Sequence, residues 1–581
     1  MKLFPFKSPR KPQQQMMTDI NQCLDSGQVL AAHAPTGVGK TAASLTPLLE
    51  DATDNDGTVF FVTPRHSQHE IALETVREMN ENTGSSLNAV DLLGKTHMCD
   101  APSGGECPRK EATVGDNGPT PRARKRLAQT IGQNLSAEEL VDECDRVCPY
   151  TLTLYMLDSA DLVVADYFHV FSSGIREQIL SRSGDKLNDI SIVVDEAHNL
   201  PDRSRDLLSS TLSDRNLQRA VDEADRHAML SQKQLLEKLQ RTMSELVPGP
   251  GQNEIPEQKL LNQIRQVEDI DRLLEKLNDL VQEVESEDDE ESETESVIEF
   301  IEAWRQDNPA ARYAEADETS WKIRVSCLTP QPVTQRPLNR CRTAVLMSGT
   351  LKPQSMYEDL LGIEDMEAAE YESTFPEENE LSLAVSTVSS RYDDRDDSTY
   401  DKFAWYIQRT AEEVDGNCAA FFPSYGFAER VENRIQHDKT YIEQPGMSKQ
   451  RKQEIVDEFS SQDNALLIAP ASGSLGEGVD YPGDALRGVF IAGLPLRPPT
   501  FEVQQLVDFL DDRYGEGWNY GYTYPAINSA LQAAGRCIRS SEDEGIVVYI
   551  DERYTWSQYR KLLPKLKETR SPWTETQEFF S

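Results

Sequence analysis

The 581-residue chain has no apolar run approaching the roughly 18 residues that a membrane-spanning helix needs, so no membrane association is expected. Its opening residues, Met1 to Lys7, lack the apolar core of a secretory signal, which leads us to expect a cytoplasmic protein. Basic residues are scarce: 59 Lys and Arg stand against 100 Asp and Glu, for a net charge of −41. Such a deficit ordinarily argues against a nucleic-acid partner, because phosphates are neutralised by Lys and Arg. Here the acid is spread along the whole chain. That spread reads as adaptation to a salt-rich cytoplasm, where screening over about 3 Å at molar salt removes self-repulsion, rather than as a surface for a basic partner. Net charge then says nothing against DNA, and local basic clusters carry the information. Disulfides are not expected in an intracellular chain, so the nine cysteines point to metal or thiol chemistry. No short-period repeat is present.

The length calls for roughly three to five domains. Short apolar runs at Val29 to Ala32, Val59 to Val62, Leu162 to Val164 and Ile192 to Val194 predict buried strands of a parallel sheet, with ligand groups at their C-terminal ends. Residues from about 96 to 150 break this pattern and hold four cysteines. From about 204 to 330, Leu260, Leu261, Ile264, Val267, Ile270, Leu273, Leu274, Leu277 and Leu280 recur at helical spacing and predict an α-helical insertion. Within it, Glu287-Asp288-Asp289-Glu290-Glu291 reads as a solvated loop or helix face. A second α/β block starts near 366, with strands predicted at Ala419 to Phe422, Leu466 to Ile468, Val489 to Ile491 and Ile546 to Ile550.

Ala34-Pro35-Thr36-Gly37-Val38-Gly39-Lys40-Thr41 follows the first strand. Glycines let backbone N–H groups approach phosphates, and the start of the next helix adds a favourable dipole. Lys40 would reach the β- and γ-phosphates, and Thr41 would bind Mg²⁺. Ala34 stands where the pattern usually opens with glycine. Ile192 to Val194 runs into Asp195-Glu196-Ala197-His198. Asp195 would hold Mg²⁺, Glu196 would polarise the attacking water, and His198 would couple nucleotide state to a facing domain. Gln532-Ala533-Ala534-Gly535-Arg536-Cys537-Ile538-Arg539 offers two arginines three apart, on one face if helical, suited to charge on a transferring phosphate. Gly476-Glu477-Gly478-Val479-Asp480 reads as a coupling loop.

These motifs stand in order with Asn199-Leu200, Ser348-Gly349-Thr350-Leu351, Phe421-Phe422-Pro423-Ser424-Tyr425 and Gly493-Leu494-Pro495. Together they resemble the superfamily 2 helicases of the XPD/DinG group, and its archaeal XPD members most. The resemblance implies an α/β architecture of two RecA-like motor lobes, with an iron–sulfur insertion and an arch-like helical insertion in the first. The implied layout gives lobe one 1–95, 151–203 and 336–365, the cluster domain 96–150, the arch 204–335 and lobe two 366–581. It implies an ATP-dependent helicase moving 5′ to 3′ on single-stranded DNA, with single-stranded and forked DNA and repair proteins as partners, and a monomer is expected. It assigns Gln14, in Lys11-Pro12-Gln13-Gln14, to the adenine, and Arg65 and His66, in Thr63-Pro64-Arg65-His66-Ser67-Gln68, to DNA. The phosphate loop lies too near residue 1 for the N-terminal exonuclease domain of some DinG-like proteins. An ATP-gated, redox-responsive DNA-binding protein without unwinding and a remodeller of RNA–DNA hybrids are the alternatives.

Cys99, Cys107, Cys144 and Cys148 are spaced C-x7-C-x36-C-x3-C. Four thiolates suit Zn²⁺ or a [4Fe–4S] cluster, and spacing alone leaves both open. The resemblance decides for the cluster, through Gly94 to Cys99 and Cys148-Pro149-Tyr150. Cys23, Cys327, Cys341, Cys418 and Cys537 read as packing residues. Between the second and third clustered cysteines lies Arg122-Ala123-Arg124-Lys125-Arg126, the densest basic cluster of the chain. Arg122, Arg124, Lys125 and Arg126 are candidate phosphate contacts, which would make this domain a wedge on the strand path.

Overall fold

The structure is a computed structural model and describes residues 2–99, 107–287, 292–477, 481, 485–538, 540 and 542–581. Two seven-stranded sheets organise it. The first uses β1 (Val29–His33), β2 (Thr58–Val62), β3 (Ala89–Leu92), β4 (Leu162–Ala165), β5 (Ile190–Asp195), β6 (Thr343–Ser348) and β7 (Met366–Glu370), in the order β7-β1-β6-β5-β2-β4-β3. Every pairing in it is parallel. Helices cover both faces, so its central strands read in sequence as unbroken apolar runs. The pleat sorts them: Ala31, Phe60, Val163 and Ile192 enter one core, while Leu30, Phe61, Val164 and Val193 enter the other.

The second sheet holds β8 (Glu380–Val385), β9 (Cys418–Phe422), β10 (Thr440–Ile442), β11 (Leu466–Pro470), β12 (Gly488–Ala492), β13 (Gly545–Ile550) and β14 (Lys567–Thr569). Its order is β10-β11-β9-β12-β13-β8-β14, again wholly parallel. Two such sheets are the RecA-like lobes expected above. All the strands expected from apolar runs form.

Two details differ. Met366–Glu370 pairs with Val29–His33, so the first sheet extends through residue 370 instead of giving way to the second lobe at 366. This edge strand, Met-Glu-Ala-Ala-Glu, has no buried position, leaving no buried run to announce it. The insertion after residue 203 is also more than helical. Ser210–Ser213, Gly251–Glu254, Ala310–Ala316 and Trp321–Cys327 form a four-stranded antiparallel sheet. Ala314, Ile323 and Val325 turn from it into a core shared with Leu260, Ile264, Leu273 and Leu277. The alternation that buries one strand face is weak beside the leucine periodicity of the helices. Glu287 ends the helix Ile270–Glu287, and the acidic run beyond it, 288–291, lies outside the described residues.

Among the described residues no helix is long and apolar enough to cross a membrane. Cys23, Cys327, Cys418 and Cys537 are buried and Cys341 is partly so.

Candidate nucleotide and nucleic-acid site

β1 delivers the phosphate loop to the start of the helix Lys40–Asn55. Val38 is fully buried and anchors the loop, while Thr36 and Gly39 face solvent and Gly37, Lys40 and Thr41 are half-buried. Gly37 and Gly39 have φ of 83° and 80°, the left-handed region that costs glycine least. Gly37 also touches the Phe375 ring, which a Cβ there would penetrate. Arg10 Nη1 donates to Gly37 O at 2.8 Å and Gln13 Nε2 to Gly39 O at 3.4 Å.

Gln13 rather than Gln14 therefore meets the loop: Gln13 is buried against it, and Gln14, the expected adenine reader, is exposed. Neighbouring helical positions diverge by about 100°, so only one of the pair can face the loop. Gln13→Ala is expected to weaken nucleotide binding about three- to tenfold, the worth of one neutral hydrogen bond. Gln14→Ala should leave the titration of a fluorescent ATP analogue unchanged.

β5 ends in Asp195, and the chain turns at Glu196 with φ of 50°. Asp195 is buried, and its Oδ1 has no hydrogen-bond partner among the described residues. Burial, reinforced by Glu196 and opposed by Lys40, pushes its carboxyl up to about 6. An orphaned buried carboxylate oxygen within electrostatic reach of Lys40 fits Mg²⁺, which takes one or two carboxylates plus substrate phosphates. Glu196 behaves oppositely. Burial works against its ionisation, but Lys40, His198, Arg65 and a bond from Ser348 hold it below the usual carboxylate range.

A continuous set of side-chain contacts surrounds that carboxylate. Thr63 Oγ1 donates to Gln68 Oε1, and Gln68 Nε2 reaches Glu196 Oε1 at 3.5 Å. Ser348 Oγ donates to Glu196 Oε2 at 3.3 Å and meets His198 Nδ1 at 2.7 Å. On its other side His198 Nε2 contacts Gln532 Nε2 of the second lobe. Burial pushes the His198 imidazole down to about 4, so it bridges the lobes uncharged at neutral pH. Tyr167 OH clamps the turn, donating to Asp195 O at 2.5 Å and Glu196 O at 2.9 Å.

Gln532 lies on the helix Tyr524–Ala534. That helix ends before Arg536: Gly535 caps it, its N–H donating to Leu531 O at 2.9 Å. Arg536 follows in the turn and is buried. Arg539 and Gly478-Val479-Asp480 lie outside the described residues. Arg65 caps the helix His66–Thr83 and lies within electrostatic reach of Asp195 and Glu196. His66, exposed, sets its ring 4.8 Å from that of His97.

Cys144 and Cys148 are buried and within electrostatic reach of each other, and burial pushes the Cys144 thiol up to about 11. Cys99 and Cys107 are half-buried and bracket residues 100–106, which are not described. Among the described residues no three metal-competent side chains come together. The basic cluster forms the helix Pro121–Thr130. Arg126 Nη1 bonds Glu143 Oε2 at 2.9 Å, while Arg122, Arg124 and Lys125 are exposed, with no ion pair to a described residue.

Three family models match in chain order: a DEAD/DEAH box helicase model over residues 10–101, DEAD_2 over 61–217 and a helicase C-terminal domain over 407–569. The ATP-dependent DNA helicase XPD of Sulfolobus acidocaldarius is 25% identical, over 96% of this chain and 98% of its own length. Over nearly its whole length the chain is similar to XPD-type helicases. XPD/RAD3, the general transcription and DNA repair factor IIH helicase subunit of Saccharomyces cerevisiae, is 22% identical over 97% of this chain and 88% of its own. A solved XPD helicase structure shares the fold, with a TM-score of 0.72 and 22% identity over 97% of this chain and all of its own.

The residues missed from sequence are Arg10, Gln13, Gln68 and Ser348. Each acts on a group distant in sequence, and Gln68 and Ser348 lie 128 and 152 residues from Glu196. The only signal for Gln13, Gln68 and Ser348 was membership of motifs read for other residues, and Arg10 had none.

Proposed function

We propose that this protein is an ATP-dependent DNA helicase that moves 5′ to 3′ on single-stranded DNA and opens duplexes, in DNA repair. The observation that carries this reading is the contact chain from Gln68 through Glu196, Ser348 and His198 to Gln532. It joins the carboxylate suited to activating water to the opposite lobe, so hydrolysis and lobe movement are mechanically linked. Lys40 and Thr41 would hold the phosphates and Mg²⁺ together with Asp195. Strand displacement tests the reading: a duplex with a 5′ overhang should be opened and one with a 3′ overhang should not. Stimulated ATPase without displacement on either substrate would leave an ATP-gated binding protein instead.

We further propose that Cys99, Cys107, Cys144 and Cys148 hold a [4Fe–4S] cluster. The donor set supports it: four thiols, two of them buried within electrostatic reach of each other, where irons would offset the cost that burial puts on a thiolate of Cys144. The exposed face of Arg122, Arg124 and Lys125 would then present the cluster domain to the strand backbone. Anaerobically purified protein should be brown and carry about four irons per chain. Cys148→Ser should lose colour and iron together, and a colourless wild-type protein containing zinc would refute the assignment.

A further inference from the structure

We propose that Asp202 is a built-in stand-in for a strand phosphate: its carboxylate occupies Arg205 and Arg497 in the interlobe cleft until a phosphodiester of single-stranded DNA replaces it. The inference rests on the DNA-motor reading and adds to it a second anion site and the device that guards it.

Asp202 lies on the short helix Leu200–Asp206, directly after Asp195 to His198. Its Oδ1 takes a bond from Arg205 Nη2, one turn on, and its Oδ2 takes one from Arg497 Nη2, 295 residues away in the second lobe. One carboxylate thus satisfies two guanidinium groups as a bridging phosphate oxygen pair would. The three residues line a cleft of about 250 Å³ between the lobes, together with His198, Gln532 and Tyr520. No residue of the phosphate loop lines this cleft, so it is separate from the triphosphate site. Arg205 has a side chain only 11% exposed, while that of Arg497 is 36% exposed and open to exchange.

Burial opposes ionisation of Asp202, yet Arg497 and Arg205 hold its carboxyl down at about 2, so the stand-in is charged at any working pH. Arg203 adds to that pull. The other acids within reach of Arg497 are Glu502 and Asp206. Glu502 is engaged by Tyr313 OH at 2.9 Å, and Asp202 is the acid that bonds Arg497, so Asp202 is the one that must leave. In so acidic a chain, bare guanidinium groups in a cleft would hold any passing anion. An internal carboxylate sets a threshold that a polyanion, rebinding at successive phosphates, crosses and a single phosphate does not. Because His198 and Gln532 share the cleft, exchange at Arg497 would be felt at Glu196 through contacts already described.

Fluorescence anisotropy of the full chain with a labelled oligothymidine, over a range of salt, tests this. Asp202→Asn should bind several-fold tighter than wild type. Arg497→Gln should bind more weakly, with the slope of log Kd against log salt reduced by about one. The double variant should match Arg497→Gln. Inorganic phosphate at equal phosphate concentration should not compete, and competition equal to that of unlabelled oligonucleotide would overturn the strand assignment. If Asp202→Asn folds, as judged by circular dichroism, and binds no tighter, the proposal fails. If it does not fold, Arg497→Gln decides, and wild-type affinity in that variant overturns it. Wild-type protein that binds no oligonucleotide would instead sink the motor reading.

Discussion

Replacing Arg536 by alanine is expected to slow ATP turnover by about 10³- to 10⁵-fold, the range for losing a guanidinium that meets charge on a transferring phosphoryl group. Gln532, four residues earlier, contacts His198 of the first lobe, so the end of its helix is held at the lobe interface. Gly535 stops the helix and the chain turns, leaving Arg536 buried rather than displayed on a solvent face. The planar fork of a guanidinium suits the charge that develops on a transferring phosphoryl group. Arg536→Lys should recover little, because an ammonium cannot reproduce the planar fork. Nucleotide affinity should change far less than turnover, since the charge to be stabilised grows in the transition state. Steady-state ATPase assays with a parallel nucleotide titration check this. Turnover within tenfold of wild type would remove Arg536 from the reaction.

What the sequence revealed follows from how local each signal is. The phosphate loop and the strand before Asp195 were legible because each is an apolar run ending abruptly in the groups that do chemistry. β7 was not, because an edge strand needs no apolar run. Gln13 and Gln14 were indistinguishable, since a run of three glutamines hides which position faces the loop until the helix is docked. Arg536 does not continue the helix of Gln532, because Gly535 stops it. Asp202 and Arg497 carried no signal at all, each an ordinary surface charge until the two lobes are placed together.

Glu196→Gln should reduce turnover by about 10²- to 10⁴-fold, the contribution of a positioned general base, while ATP still binds. The amide keeps the size of the carboxylate and can still meet Ser348 and Gln68, so the contact chain between the lobes should survive. Ser348→Ala, which removes one bond to Glu196 but leaves the base, should cost much less. The exchange has a second consequence. Asp195 stands at about 6, and the negative charge of Glu196 is one of the influences raising it. In the wild type, a carboxylate needed for Mg²⁺ is ionised above that pH and takes up a proton as pH falls through it, so Mg²⁺-dependent ATP binding should be lost on that side. Removing the Glu196 charge lowers the Asp195 carboxyl, so the acid limb of binding should move to lower pH in Glu196→Gln. Thermal-shift titrations of MgATP from pH 5 to 8 would show it. An unmoved limb would mean that the proton lost there does not belong to Asp195, and that Glu196 acts on water without acting on its neighbour.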